Sequence, residues 1–72
     1  MVLRTTDLEV QGILNAGGSV EIDASHYSSL ARLGFAQAVK EGATLRIVNS
    51  SHMSGMERIG VAKAGGGRVI LT

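Results

Sequence analysis

Two histidines occur in matching tetrapeptides, SHYS at 25–28 and SHMS at 51–54. Imidazole binds metal ions when it is neutral and anions when it is protonated. If the two segments lie side by side, His26 and His52 are the candidate ligands for a shared metal ion or anion. A zinc site needs further thiolate or carboxylate ligands, and the chain has no cysteine. We therefore predict no resident cofactor or metal, and these two residues are the metal candidates that the sequence offers.

Three hydroxyl residues, Thr6, Ser28 and Ser54, each precede a segment with helical character. Such residues are favoured helix N-caps, because the side-chain oxygen accepts a hydrogen bond from an unpaired backbone N–H. Glutamate follows three positions after Thr6 and after Ser54, which predicts a capping box at both. Helix N-termini also attract anions. Thr6, Ser28 and Ser54 therefore form a candidate anion-binding edge, with ordinary capping as the simpler alternative.

The chain repeats when it is aligned on these hydroxyls. An apolar residue follows two positions later, a glycine six positions later and an alanine ten positions later. The pattern predicts helices at about 7–16, 29–41 and 55–64. The glycines, Gly12, Gly34 and Gly60, each weaken a helix by about 0.5–1 kcal/mol relative to alanine. We predict that they allow close packing of helix on sheet, so that Gly34→Leu would unfold the domain.

Short β-type segments alternate with the helices, at 2–4, 19–23, 44–48 and 68–71. The predicted order is β-α-β-α-β-α-β, a single α/β domain (1–72) of three strand–helix repeats at about 1–18, 19–43 and 44–72. Apolar and polar residues alternate in the strands, which indicates a sheet covered on one face. We therefore predict a small two-layer parallel sheet in a solenoid-like array with all helices on one face. A small doubly wound fold is the structural alternative.

The repeat is similar in outline to α/β leucine-rich-repeat arrays, although the asparagine ladder and leucine spacing of those arrays are missing. Residues 23–25, 28–30 and 42–49 also resemble the strand–helix–strand centre of the STAS domain, over about a third of the chain. Tyr27 and Leu30 stand where that family usually has an acidic residue and a glycine. The resemblance implies a STAS-like α/β fold and a regulatory module, with Ser28 or Ser29 as a modification site.

Composition excludes several classes of function. The formal net charge is +1, Lys and Arg form no run, and the chain has two aromatic residues, so nucleic-acid binding is not expected. No apolar stretch is long enough to span a membrane, and no export signal is visible, so a cytoplasmic location is the default expectation. No nucleophile lies in a pattern with a base and an orienting group, which favours a non-enzymatic protein.

The last segment is an apolar strand, Val69, Ile70 and Leu71. An edge strand with free backbone groups pairs readily with another chain. We therefore predict a protein-interaction or self-assembly module, either a homodimer or bound to a protein partner through this strand. The alternatives are a small anion- or metal-binding domain and a STAS-like regulatory module.

Overall fold

A computed structural model describes residues 2–72 of the chain; Met1 lies outside the described part. Helices and parallel strands alternate, so the predicted mixed α/β class is confirmed. The elements are α1 (Asp7–Asn15), β1 (Val20–Asp23), α2 (Ser29–Ala38), β2 (Leu45–Val48), α3 (Gly55–Gly65) and β3 (Val69–Leu71). A single 3-10 turn follows each of the first two strands, at Ala24–His26 and Ser50–His52.

The predicted first strand, at residues 2–4, is wrong. Within the described chain, one backbone hydrogen bond joins this segment to β1, from Leu3 N–H to the Glu21 carbonyl at 2.7 Å. The chain then turns into the cap of α1 at Thr6, so the segment is too short to form a regular ladder. The described elements therefore begin with α1 and run α-β-α-β-α-β.

The sheet has the order β1-β2-β3, with both pairs parallel. Ile22, Ile47 and Leu71 are in register on the face that packs against the helices, and the two isoleucines are fully buried. The opposite face carries Glu21 and Arg46, which form an ion pair across β1 and β2 at 3.1 Å. Helices therefore cover one face of the sheet and leave the other open.

The core is aliphatic with one aromatic ring, as the composition predicts. Val10 and Leu14 of α1, Phe35 of α2 and Val61 of α3 are almost completely buried against the sheet. The ring of Tyr27 packs edge-on against Phe35, with centroids 5.2 Å apart, and its hydroxyl donates to the Thr5 carbonyl at 2.8 Å. These contacts attach the segment before α1 to the second repeat.

The predicted caps form. The hydroxyl oxygens of Thr6, Ser28 and Ser54 accept from the backbone N–H three residues later, at 3.2, 3.2 and 3.1 Å. The return half of each capping box does not form, because each glutamate has another partner. Glu9 accepts from the Thr5 hydroxyl at 3.0 Å, and Glu57 pairs with Arg32.

The predicted packing role of the helix glycines is wrong. A Cβ added at Gly12 or Gly60 would meet nothing within 4 Å, and one at Gly34 would meet only the Gln11 side chain at 3.5 Å. These positions face away from the sheet, so Gly34→Leu would not collide with the core. The glycine that does pack closely is Gly65, near the end of α3 and in contact with Val69.

Candidate functional site

The carboxyl ends of β1 and β2 are tied together by side chains. Asn49 Nδ2 donates to Asp23 Oδ2 at 2.6 Å, and the other oxygen of Asp23 accepts from the backbone N–H and hydroxyl of Ser25, at 2.8 and 2.7 Å. The Asn49 backbone is left-handed, with φ of 56°, a conformation that asparagine tolerates better than most residues. Asp23 and Asn49 thus link the ends of adjacent strands.

Hydrogen bonds to the carboxylate of Asp23 favour its charged form. The Ser25 hydroxyl contributes most, the Ser25 backbone N–H comes next, and Asn49 adds a smaller effect. Together they lower the pKa of Asp23 from 3.8 to about 2, against a smaller opposing effect of desolvation. The carboxylate is therefore ionised at any pH near neutrality.

This pKa shift predicts how stability depends on acid. The folded pKa lies below the unfolded one, so the stabilisation is complete above about pH 4 and is lost as the pH falls toward 2. We expect the wild-type melting temperature to fall more steeply over this range than that of Asp23→Asn, which carries no titrating carboxylate there. The two variants should be compared by circular dichroism at constant ionic strength. Parallel curves would contradict the assignment.

The three residues of the candidate anion edge act as helix caps in the structure. Thr6, Ser28 and Ser54 lie at helix N-termini, but each hydroxyl oxygen already accepts a capping hydrogen bond. The ionised Asp23 lies at the same end of the sheet, where its charge opposes a bound anion.

The histidines lie at equivalent places and are exposed. His26 and His52 each end one of the two 3-10 turns, and these turns contact each other. Across residues 2–72, no three histidine, cysteine, aspartate or glutamate side chains are grouped so that they could hold a metal ion. The fold thus brings the two histidine-bearing turns into contact.

Arg32 in α2 is buried and donates four hydrogen bonds to other parts of the described chain. Its Nε and Nη2 donate to the two carboxylate oxygens of Glu57 in α3, at 2.7 and 3.0 Å. Its Nη1 donates to the carbonyls of Ala24 and Tyr27, at 2.6 and 2.5 Å. One guanidinium therefore joins α2, the turn after β1 and the next helix. This role was not predicted from the sequence.

Arg58 in α3 is the counterpart of Arg32 in the next repeat. Each arginine is the fourth residue after its serine cap, Ser28 or Ser54. Arg58 Nη1 points to the carbonyl of Ser50 at 3.4 Å, just as Arg32 points to that of Ala24. Arg58 is half-buried, and no carboxylate of residues 2–72 pairs with it. This shared position was the signal that could have identified the pair in the sequence.

The predicted association strand, Val69, Ile70 and Leu71, lies at the edge of the sheet. The Arg68 carbonyl and the Thr72 N–H bond to β2, at 2.8 and 2.9 Å. Because backbone groups alternate in direction along a parallel strand, those of Val69 and Leu71 point away from β2. Ile59 of α3 is 66% exposed and Ile70 is 45% exposed. Ile70 is in register with Arg46 and therefore lies on the open face of the sheet, whereas Ile59 lies on the helical side. We call the side of the molecule formed by Arg58 and Ile59 of α3 and by the edge strand 69–71 the C-terminal flank.

A second apolar surface lies on the outer side of the helices. Leu8, Leu30 and Met56 occupy the same position in the three helices and are 81, 79 and 83% exposed. Two shallow grooves separate the helices, of about 260 Å³ between α1 and α2 and about 300 Å³ between α2 and α3. We call these three side chains the helical row.

No known protein family, curated protein or solved structure matches the chain significantly. In the described part of the chain, no helix has the length and apolar character needed to cross a membrane. A functional assignment therefore depends on the chemistry of the surfaces described above.

Proposed function

We propose that the chain is a non-enzymatic self-assembly module, built as a short solenoid-like array of three α/β repeats. The observation that carries this proposal is the C-terminal flank. It combines outward backbone groups on Val69 and Leu71 with exposed Ile59 and Ile70. An edge strand of this kind is a ready template for pairing with another chain.

Ile59 occupies the same place in α3 as Leu33 does in α2. In a repeat array each unit buries one side against its neighbour. Leu33 lines the groove that faces α3, whereas Ile59 is 66% exposed. A second chain bound to the C-terminal flank would cover Ile59 in the same way that α3 covers Leu33.

The proposal is tested by the solution mass, measured by light scattering on a sizing column over a tenfold concentration range. We expect a mass above that of the monomer, rising with concentration. Ile70→Glu places a charge in the edge strand, on the same face of the sheet as Glu21, and should return the protein to the monomer. A monomeric wild type throughout this range would refute self-assembly.

A matched pair of helix variants identifies the surface. Ile59→Gln on the C-terminal flank and Leu30→Gln in the helical row both replace an exposed apolar side chain by glutamine. We expect the first to weaken association and the second to leave it unchanged. If Leu30→Gln weakens association and Ile59→Gln does not, the copies associate through the helical row instead.

Two other functions remain as lower-ranked proposals. A small anion- or metal-binding domain would use the Ser/His turns, where the negative charge of Asp23 opposes a bound anion. A STAS-like regulatory module would use Ser28 or Ser29, and Ser28 is the cap of α2. Neither alternative accounts for the apolar C-terminal flank.

A further inference from the structure

We infer that copies of the chain associate head to tail, with Arg58 of one copy bound to Glu9 of the next. This inference rests on the proposed self-assembly and adds the surface that the C-terminal flank contacts. That surface is the side of α1 that faces away from α2, together with the edge of β1 on which segment 2–4 lies. We call it the N-terminal flank.

The internal contact between α2 and α3 provides the template. There, the Arg32 guanidinium donates to the Ala24 carbonyl in the turn of its own repeat and to the carboxylate of Glu57 in the following helix. Arg58 donates to the Ser50 carbonyl in the turn of the third repeat, and no carboxylate of residues 2–72 pairs with it. A carboxylate on the next helix would complete the same arrangement.

Glu9 of α1 is the counterpart of Glu57. Each follows its hydroxyl cap, Thr6 or Ser54, by three residues and therefore lies on the same side of its helix. In α3 that side faces the preceding helix, as the pairing of Glu57 with Arg32 shows. In α1 no described helix precedes it, so Glu9 is exposed and accepts only from the Thr5 hydroxyl.

The two flanks are complementary in charge. Glu9 in the first turn of α1 is the carboxylate on the side away from α2, whereas Asp7 lines the groove toward α2. The C-terminal flank carries Arg58, and Glu57 of the same helix is bound to Arg32 on the opposite side. A two-fold dimer through β3 would bring two Arg58 side chains to one interface without a carboxylate. The charges therefore favour a head-to-tail arrangement.

The edge of β1 is covered lightly enough to accept a strand. In the described chain a single backbone hydrogen bond, from Leu3 to Glu21, holds segment 2–4 there. Leu3, Val69 and Leu71 are all partly buried side chains that pack on the core. In another copy the N–H of Val69 or Leu71 points outward and can donate to the Glu21 carbonyl in place of the Leu3 N–H. The apolar side chain of that residue would then replace the apolar side chain of Leu3.

Reversal of the charge pair tests the inference in the full chain. Arg58→Glu and Glu9→Arg should each raise the dissociation constant about tenfold, because each places like charges in contact. The double variant restores opposite charges and should associate like wild type. An equimolar mixture of the two single variants should also associate.

Controls separate this contact from general charge effects. Lys40→Glu and Glu41→Arg make the same changes in net charge on an exposed loop, and neither should alter association. Circular dichroism should show that all four single variants are folded. Because a head-to-tail contact leaves one flank free at each end, the mass should continue to grow beyond the dimer.

The outcomes distinguish the inference from the proposed function. If Ile59→Gln weakens association but Glu9→Arg does not, the C-terminal flank is an interface and the head-to-tail contact is wrong. A mass that saturates at the dimer also overturns the head-to-tail contact while self-assembly stands. A monomeric wild type refutes both.

Discussion

Replacement of Arg32 by alanine should lower the free energy of unfolding by about 3 kcal/mol. The substitution leaves the Glu57 carboxylate without its bidentate partner and removes the donor to the carbonyls of Ala24 and Tyr27. The Arg32 side chain is 9% exposed and that of Glu57 is 20% exposed, so water replaces these bonds poorly. Domains have about 0.05–0.15 kcal/mol of stability per residue, so this loss is a large part of the total.

Urea denaturation followed by circular dichroism measures the effect. Arg32→Lys should recover only part of the loss, because an ammonium group cannot reproduce the two parallel bonds to Glu57. Arg32→Leu combined with Glu57→Leu should cost less than the sum of the single changes, because neither charge is left unpaired. A loss below about 1 kcal/mol for Arg32→Ala would show that the network is dispensable.

Gly65→Ala should destabilise the domain by about 2 kcal/mol, as overpacking of a core usually does. A Cβ at this buried position would lie 2.2 Å from Val69 Cγ2 and 3.3 Å from Val69 Cβ. The backbone of Gly65 is not left-handed, so the predicted loss comes from the collision alone. Thermal unfolding of the variant measures it directly.

Two variants make this prediction specific. Gly60→Ala, in the same helix, meets open space and should stabilise the domain by about 0.5–1 kcal/mol through helix propensity. Val69→Ala removes the colliding methyl groups, so it should be less harmful in the Gly65→Ala background than in wild type. Equal effects of Val69→Ala in both backgrounds would contradict the collision.

Features that depend on neighbouring residues were predictable from the sequence. Caps at Thr6, Ser28 and Ser54 require only a hydroxyl and a nearby backbone N–H. The alternation of apolar and polar residues in the strands that contain Glu21 and Arg46 predicts which face of the sheet is open. These features depend on residues that are close in the sequence, so they can be predicted without knowledge of the tertiary fold.

Features that depend on distant residues were missed or misinterpreted. Glu57 was assigned to its own cap, because its distant partner Arg32 could not be recognised from the sequence. Gly34 was placed against the sheet, although its helical stripe continues through the exposed Leu30 and faces outward. The buried side of α2 is marked instead by Phe35 and Ala36, which identify the inner face only once the sheet is in place.

The single covered face of the sheet also fixes the curvature of the molecule. Each repeat contributes one strand, which occupies about 4.8 Å across the sheet, and one helix, which needs about 8–10 Å beside its neighbour. We therefore expect the helical layer to form the longer arc, with the open face that carries Glu21 and Arg46 on the concave side. Copies joined head to tail would continue this bend, so we expect a curved assembly whose bend is set by the difference in width between the two layers.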